Sequence, residues 1–145
     1  MRRPILAGEV TLEHLWNVVP TNAQVSTVEL TGDELWAMPQ ANVERTYAAN
    51  AYEQMGGFVK RCRGLRLFFK MENPAGHRIE SLLIDGDVVK GGGRYSAAML
   101  GEQGVPAKFG LHRKQIGITA VDALRDLYAS HAVITGAIRG SVTAV

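Results

Sequence analysis

The sequence predicts an α+β fold, built as a single domain over residues 1–145. The first reason is the order of its elements, in which single helices lie among hairpins instead of alternating regularly with parallel strands. The second reason is the length of 145 residues, which suits one domain that buries roughly 70% of its unfolded surface. The third is an ordinary globular composition, with 46% hydrophobic and 21% charged residues.

The chain opens with a predicted short helix. Thr11 is a favourable N-cap residue because its hydroxyl can accept a hydrogen bond from an amide of the first turn. Pro20 disfavours helical geometry at the residue before it, so we expect the helix to end there. The apolar positions expected to share one helical face are Leu12, Leu15 and Trp16.

A strand and a longer helix are predicted next. Residues Gln24–Leu30 alternate between two faces, which is typical of a half-buried strand. Thr31 and Glu34 then have the spacing of a capping box, which predicts the start of a helix. Pro39 falls inside this helix, where it lacks an amide donor and collides with the preceding turn, so we expect a kink or a break there.

The middle of the chain has the turn signals of hairpins. Turns are predicted at Asn73–Gly76 and Asp85–Asp87. Gly91–Gly93 lacks the Lys-Ser/Thr pair and the helix of a phosphate loop, so we interpret it as a flexible connection. The strands predicted around these turns are Leu65–Met71, His77–Ile84, Val88–Val89 and Tyr95–Leu100.

The last third is predicted to form a long loop, a helix and a strand. Residues 101–117 have no clear periodicity, and loops of this length are usually functional. Thr119 and Asp122 form the capping pair of the last helix, whose apolar face includes Leu124. A strand over residues 138–145 ends the chain.

Three short motifs occur in a characteristic order: Gly8–Thr11 with the sequence G-E-V-T, a helix ending at Pro20, and Leu30–Gly32 with the sequence L-T-G. In this order they resemble the C-terminal domain of the two-domain 5'-nucleotidases, and the resemblance continues to about Leu100. It implies a four-layer α/β/β/α fold with a mixed sheet. It also implies a substrate-recognition role in nucleotide catabolism.

The resemblance also says what a complete protein would contain. Phosphoester hydrolysis in this family takes place at two divalent metal ions in a metallophosphoesterase domain, which we expect upstream of this chain and absent from it. The expected partners of this domain are therefore that N-terminal domain and a small anionic substrate. The resemblance implies a periplasmic or extracellular parent hydrolase, although the first residues do not form a signal peptide.

Candidate substrate contacts near the start of the chain follow from the same resemblance. An arginine six residues before the glycine at position 8 reaches the substrate in the nucleotidases, which corresponds to Arg2 here. After the helix-ending proline the nucleotidases place a base-stacking aromatic, and this chain has Thr21 there. Asn22 is the nearest hydrogen-bonding substitute for an asparagine of the family, one position away. The alternatives are a frayed terminus for Arg2 and an ordinary loop for the other two.

Further contacts are implied in the middle of the chain. Gly57 and Phe58 match a substrate-touching glycine followed by an aromatic in the nucleotidases. Arg61 belongs to a basic run over residues 60–66, which is a candidate anion site because guanidinium groups bind oxyanions bidentately. The alternative for this run is a solvated edge strand. Two interpretations are open for Cys62: the arginines on either side lower the pKa of its thiol, or it is a packing residue, which is the more common role of a lone cysteine in a strand.

A departure from the nucleotidases suggests a different substrate. Residues 101–110 replace their second stacking aromatic and their G-G-D-G loop, and Gln103 is the candidate contact there. The run Tyr52, Gln54, Gly56 and Gly57, with Arg61 four residues further on, resembles the sulfur-oxidising thiosulfohydrolases, which share the two-domain architecture. One alternative is therefore the C-terminal domain of a thiosulfohydrolase-like enzyme. A second alternative is a non-catalytic binding module.

No catalytic centre is predicted in this chain, so the domain alone is expected not to be an enzyme. The four histidines are scattered singly, and one cysteine allows neither an internal disulfide nor a cysteine metal cluster. No metal or other cofactor is therefore expected in this domain. A net charge of +2 gives no reason to expect nucleic acid, and no apolar run approaches the ~20 residues of a membrane span.

Overall fold

The computed structural model describes residues 5–131, 133–134 and 140–145. The α+β class is confirmed, with helices and strands interspersed along the chain. In order, the elements are α1 (Leu12–Val18), β1 (Gln24–Thr31), α2 (Gly32–Thr46), β2 (Leu65–Phe69), β3 (Ile79–Ile84), β4 (Asp87–Val88), β5 (Arg94–Leu100), α3 (Gly101–Gly104), β6 (Leu111–Thr119), α4 (Ala120–Ser130) and β7 (Val142–Ala144).

The strands form two sheets, with orders β5-β1-β6 and β4-β3-β2-β7. In the first sheet β1 and β6 are antiparallel. In the second, β3 is antiparallel to both β2 and β4, whereas β7 is parallel to β2. The four-stranded sheet is therefore mixed, as the resemblance implied. No helix among the described residues has the length and apolar character of a membrane span.

The chain divides into two compact units, the first comprising residues 1–29 and 96–137, the second residues 30–95 and 138–145. The first unit contains α1, α3, β6 and α4. The second contains α2 and the four-stranded sheet. Buried apolar side chains of the first unit are Leu15, Val28, Met99, Val105, Ala120 and Val121. Those of the second are Leu30, Leu35, Val43, Val59, Leu67, Phe69, Leu82 and Val89.

The predicted N-caps are confirmed. The Glu34 amide donates to Thr31 Oγ1 over 3.2 Å, and the Glu34 carboxylate accepts from the Thr31 amide in return. Thr119 and Asp122 form the same box at α4. At α1 the cap Thr11 is also present, but its reciprocal partner is the imidazole of His14, which the sequence analysis did not identify. Local hydrogen bonding therefore decides where the three longer helices begin.

Helix α2 continues through Pro39, so the expected break is wrong, while a kink there stays a prediction. Proline removes only one amide donor from the helix. The capping box secures the first turn, and Leu35 and Val43 are buried on either side of the proline, at 8% and 0% exposure. Burial of this face stabilises the helix against the single lost hydrogen bond.

The glycine-rich segment 91–93 is not a flexible connection, and that prediction is also wrong. The Gly32 amide donates to Gly93 O over 2.9 Å and the Asp33 amide to Gly91 O over 3.0 Å. A β-carbon on Gly32 would lie 1.9 Å from the carbonyl oxygen of Lys90. The segment therefore caps α2, and the glycine of the L-T-G motif is required because the two backbones touch.

The predicted loop over residues 101–117 is replaced by α3 and most of β6. Strand β6 gave no alternating signal because seven of its nine residues are exposed. Its pairing with β1 contains two register shifts, and His112 has a positive φ of 52°. The final strand is shorter than predicted, beginning at Val142, and residues 138–139 lie outside the described part of the chain.

The first helix buries less than predicted. Leu15 is buried at 4% exposure, whereas Leu12 and Trp16 remain 54% and 43% exposed. The three residues are spaced for one helical face, but only Leu15 lies within the core. The apolar positions identified from the sequence are therefore a surface of this domain as well as part of its core.

Candidate functional site

Three of the predicted substrate contacts, Gly57, Phe58 and Arg61, lie on the segment joining α2 to β2, called here the α2–β2 loop (residues 47–64). This loop presents an unusual number of large exposed side chains. Tyr52 is 99% exposed and Phe58 is 72% exposed. The basic side chains exposed on the same loop are Lys60, Arg61 and Arg63.

Helix α2 holds the part of the loop that carries Phe58. The Lys60 amide donates to Asn42 Oδ1 over 2.7 Å, and the Thr46 hydroxyl donates to Phe58 O over 3.4 Å. Between them the Val59 side chain is buried at 7% exposure. This short stretch is therefore fixed by backbone contacts and one buried anchor, and the neighbouring side chains point away from the core.

The first half of the loop closes over the end of the helix. The Met55 amide donates to Arg45 O over 3.0 Å, and Gln54 Nε2 donates to Thr46 O over 3.1 Å. These bonds satisfy carbonyls that the helix end would otherwise leave unpaired. Gln54, identified from its resemblance to thiosulfohydrolases, thus has a structural role within this chain.

The two adjacent glycines of the loop differ in whether their backbone conformation requires glycine. Gly56 has a φ of +78°, a conformation that side chains other than glycine rarely adopt. Gly57 has no positive φ, and a β-carbon there would meet no atom within 4 Å. The backbone conformation therefore explains why residue 56 is glycine, whereas neither conformation nor packing in the described structure explains why residue 57 is.

The basic run is a loop over residues 60–63 and not the edge strand that was the alternative. Arg61 and Arg63 make no hydrogen bond or salt bridge within the described part of the chain. Arg66, which lies in β2, places its guanidinium 5.6 Å from the centroid of the Phe68 ring. The two loop arginines are therefore the available oxyanion donors of this run.

Cys62 does not have the activated thiol that its arginine neighbours suggested. The residue is exposed, yet the protein atoms around it raise the pKa of the thiol, and the charge of Lys60 lowers it by less. Partial desolvation disfavours the thiolate more than the neighbouring cation favours it. The thiolate is therefore not stabilised here, and the prediction of a lowered pKa is wrong.

The first unit carries Thr21 and Asn22. Thr21 is exposed in the turn after α1. Asn22 has a positive φ of 39°, and its Oδ1 accepts a hydrogen bond of 2.8 Å from the Val121 amide in the first turn of α4. The neighbouring Ala120 amide donates to Ala23 O over 3.0 Å. The side-chain carbonyl of Asn22 is thus committed to the start of α4, a role that the sequence did not indicate.

The segment between α3 and β6 is organised by Arg113, a residue that the sequence did not single out. Arg113 donates to the carbonyls of Val105, Pro106 and Phe109 over 3.1, 3.2 and 3.0 Å. Phe109 is half-buried, and Lys108 Nζ lies 4.8 Å from its ring centroid. No spacing signal pointed to Arg113, because its acceptors are backbone carbonyls.

Two predicted contacts cannot be placed. Arg2 lies outside the described residues. Gln103 belongs to α3, whose backbone is described, but its side chain is not. Within the described residues no group of three or more His, Cys, Asp or Glu side chains is arranged to hold a metal ion.

These features correspond to a known protein family. The model of the family "5'-nucleotidase, C-terminal domain" matches residues 1–101, more than half of the chain. The chain belongs to this family. The matched range includes the α2–β2 loop and ends before Gln103, Phe109 and Arg113. No curated protein sequence matches the chain.

The fold of this 5'-nucleotidase C-terminal domain recurs in larger solved structures. A 5'-nucleotidase precursor from Thermus thermophilus superposes with a TM-score of 0.76 at 18% identity, covering 99% of this chain and 29% of that chain. The sulfate thiohydrolase SoxB, also of Thermus thermophilus, gives 0.76 at 20% identity, with 94% and 25% covered. The NAD nucleotidase of Haemophilus influenzae gives 0.74 at 13% identity, with 97% and 27% covered.

At these identities the likeness establishes the fold. The chain spans between a quarter and a third of the length of these three solved structures. Proteins named as a nucleotidase and as a sulfate thiohydrolase both contain a domain of this fold, so the fold by itself does not identify a function.

Proposed function

We propose that this chain is the substrate-recognition domain of a two-domain, metal-dependent hydrolase of the 5'-nucleotidase type. In this proposal residues 1–145 act as one domain, and a metallophosphoesterase domain of the same protein precedes them and carries two divalent metal ions. The parent protein is a periplasmic or extracellular hydrolase. The role of this domain is to hold the anionic or organic part of the substrate, since orientation can supply much of a rate enhancement.

The observation that carries the proposal is the construction of the α2–β2 loop. Arg61 is exposed and without a partner in the described structure, while the adjacent backbone is held by Asn42 through the Lys60 amide. A guanidinium on a fixed backbone loses less conformational freedom when it binds an oxyanion. Gly57, whose missing side chain has no internal explanation, leaves room for a ligand to approach the backbone.

The remaining contacts come from the family resemblance. Arg2 would add a second guanidinium, Thr21 and Asn22 would contact the organic part, and Gln103 would supply an amide. Asn22 retains its side-chain NH₂ group for this purpose, because the bond to the Val121 amide uses only its Oδ1 atom. Phe58, at 72% exposure, would offer an apolar face.

A sulfur substrate is the second candidate, and two observations in the first unit favour it. Thr21 supplies no ring for stacking a base. Phe109 is half-buried, and Lys108 lies over its ring at 4.8 Å. Stacking of a base on an aromatic is worth roughly 1–3 kcal/mol, so a domain without two such rings loses much of its affinity for nucleosides. A small sulfur oxyanion needs only the cationic groups.

Titration calorimetry on the 145-residue chain tests the proposal, with AMP and thiosulfate as separate ligands. We expect weak oxyanion binding that Arg61→Ala weakens further and that Arg125→Ala, an exposed arginine of α4 paired with Asp122, leaves unchanged. Tight AMP binding would favour a nucleotidase, and thiosulfate binding without AMP binding would favour the sulfur enzyme. If neither ligand binds, the chain is better explained as a binding module.

A separate assay addresses catalysis. The chain alone is expected to release no phosphate from AMP in the presence of manganese or zinc, because the metal-binding domain is not part of it. Phosphate release well above the blank that survives further purification would contradict the proposed division of labour.

A further inference from the structure

A pocket of about 470 Å³ lies within the second unit, between the end of α2, the first half of the α2–β2 loop and the residue before β3. This volume is in the range of small-molecule sites. None of the residues predicted to touch the substrate lines it. The lining residues are Glu44, Arg45, Ala48, Ala49, Tyr52, Glu53, Met55 and Arg78.

One wall of the pocket is formed by Arg78, whose side chain is only 18% exposed. Its Nη1 lies 3.2 Å from Glu44 Oε2, close enough for an ion pair, but this contact lacks hydrogen-bond geometry. The buried Nε and Nη1 atoms have no hydrogen-bond acceptor among the described residues. Glu44 is meanwhile shared, because its Oε1 accepts from Gln40 Nε2 over 2.7 Å and from the Gly76 amide over 2.9 Å. The charge of Arg78 is therefore paired with Glu44, while the hydrogen-bonding capacity of its guanidinium is only partly used.

The second cation of the pocket is Arg45, which is exposed and whose side chain has no hydrogen bond or salt bridge in the described structure. Glu53 also lines the pocket, with Oε1 3.4 Å from Asn50 Nδ2. Two arginines and two glutamates give the lining a formal charge of zero. The two glutamates would repel a dianion about as strongly as the two arginines attract it. A ligand with a single carboxylate can accept hydrogen bonds from a guanidinium and is repelled less.

The other walls are apolar. Ala48 and Ala49 leave space beside the helix end, and Tyr52 and Met55 add an aromatic ring and a flexible thioether. We propose that this pocket binds a small organic monocarboxylate, with its carboxylate on Arg45 and Arg78 and its carbon skeleton against Tyr52 and Met55. This proposal concerns a ligand site separate from Gly57, Phe58 and Arg61, and it does not depend on the proposed function.

Benzoate is the probe that tests this site, with benzamide as its uncharged counterpart of the same shape. Amide chemical shifts of the 145-residue chain report both the affinity and the location of binding. We expect benzoate to shift the amides of Arg45, Ala48 and Ala49, and benzamide to leave them unchanged. Inorganic phosphate is expected to bind these residues more weakly than benzoate does.

Variants identify the groups responsible. Arg45→Ala is expected to weaken benzoate binding by at least about tenfold, because a charge-assisted hydrogen bond is lost. Tyr52→Ala should weaken it about threefold, and since Tyr52 is 99% exposed the fold should not suffer. Arg125→Ala, an exposed arginine of α4 that does not line the pocket, should leave the affinity unchanged.

Several outcomes would overturn the proposal. These are benzamide binding as tightly as benzoate, shifts confined to residues outside the pocket, no shift at saturating benzoate, or an Arg45→Ala variant that binds like the unmodified chain. Phosphate binding more tightly than benzoate at these amides would reject a monocarboxylate as the ligand class.

Discussion

Two loops of this domain use arginine in opposite ways. In the α2–β2 loop the backbone is held by Asn42, Thr46 and the buried Val59, and Arg61 remains available. In the segment 105–110 the backbone is held by Arg113 itself, which donates to three carbonyls. The same residue type thus has no partner among the described residues in one loop and is an internal brace in the other.

In this domain, the arginine without a partner in the described structure lies in the loop whose backbone other groups secure. A guanidinium has five donors, and nearby unpaired carbonyls compete with any ligand for them. In the α2–β2 loop, side chains of α2 bond to the Phe58 carbonyl and the Lys60 amide. Four predictions test the contrast.

The largest loss of stability is expected from a substitution at the start of α2, the helix whose side chains hold the α2–β2 loop. Gly32→Ala would place a β-carbon 1.9 Å from the carbonyl oxygen of Lys90, and neither backbone can move cheaply. We expect a loss of about 3 kcal/mol in the free energy of unfolding, measured by urea denaturation. Gly57→Ala is the matched control, with no atom within 4 Å of the new carbon. Equal stability of the two variants would show that the contact between Gly32 and Lys90 is not as close as described.

The next effect compares the two arginines directly. Arg113→Ala removes hydrogen bonds to the carbonyls of Val105, Pro106 and Phe109, and we expect it to lower the free energy of unfolding by about 2 kcal/mol. Arg61→Ala should change it by less than about 0.5 kcal/mol, as surface substitutions usually do. Thermal unfolding followed by circular dichroism measures both. If Arg61→Ala is the more destabilising, then Arg61 and not Arg113 is the internal brace.

A smaller effect is expected from the anchor beside Arg61. Asn42→Ala removes the acceptor of the 2.7 Å bond from the Lys60 amide, which we expect to cost about 1 kcal/mol. Amide hydrogen exchange at Lys60 should accelerate, while exchange in β3 should be unaffected. Asn17→Ala, an exposed asparagine of α1, is the control. Unchanged exchange at Lys60 would mean that Asn42 does not hold the loop.

The smallest effect concerns pH and the unit that contains the Arg113 brace. Hydrogen bonds from the hydroxyl and the amide of Thr119 lower the pKa of Asp122. A lowered folded-state pKa contributes stability above the ordinary carboxyl pKa, and this is lost as the pH falls through the lowered value. Asp122→Asn should therefore reduce the decrease in melting temperature that acidification from about pH 5 to about pH 2 causes. Asp126→Asn, on the same helix, should reduce it less, and a larger effect of Asp126 would refute the capping role.

The α+β class, the positions of most elements and the family could all be predicted from the sequence alone. These signals are local: Thr31 with Glu34 and Thr119 with Asp122 lie one turn apart, and the turn at Asp85–Asp87 is encoded by neighbouring residues. The sequence also indicated Gly57, Phe58 and Arg61 through motifs that lie within the matched range.

The tertiary structure decides which polar groups already have a hydrogen-bond partner within the protein. Asn22 bonds to Val121, and Gly32 touches Lys90, through contacts between residues far apart in the chain. Pro39 remains helical because burial on either side outweighs one missing hydrogen bond, and exposed β6 pairs with β1 without an alternating pattern. These outcomes depend on which backbone carbonyls lie nearby and on how much apolar area is buried, and the identity of a single residue encodes neither. The sequence therefore gives the chemistry of a side chain, while the tertiary structure decides whether that side chain is available to bind a ligand.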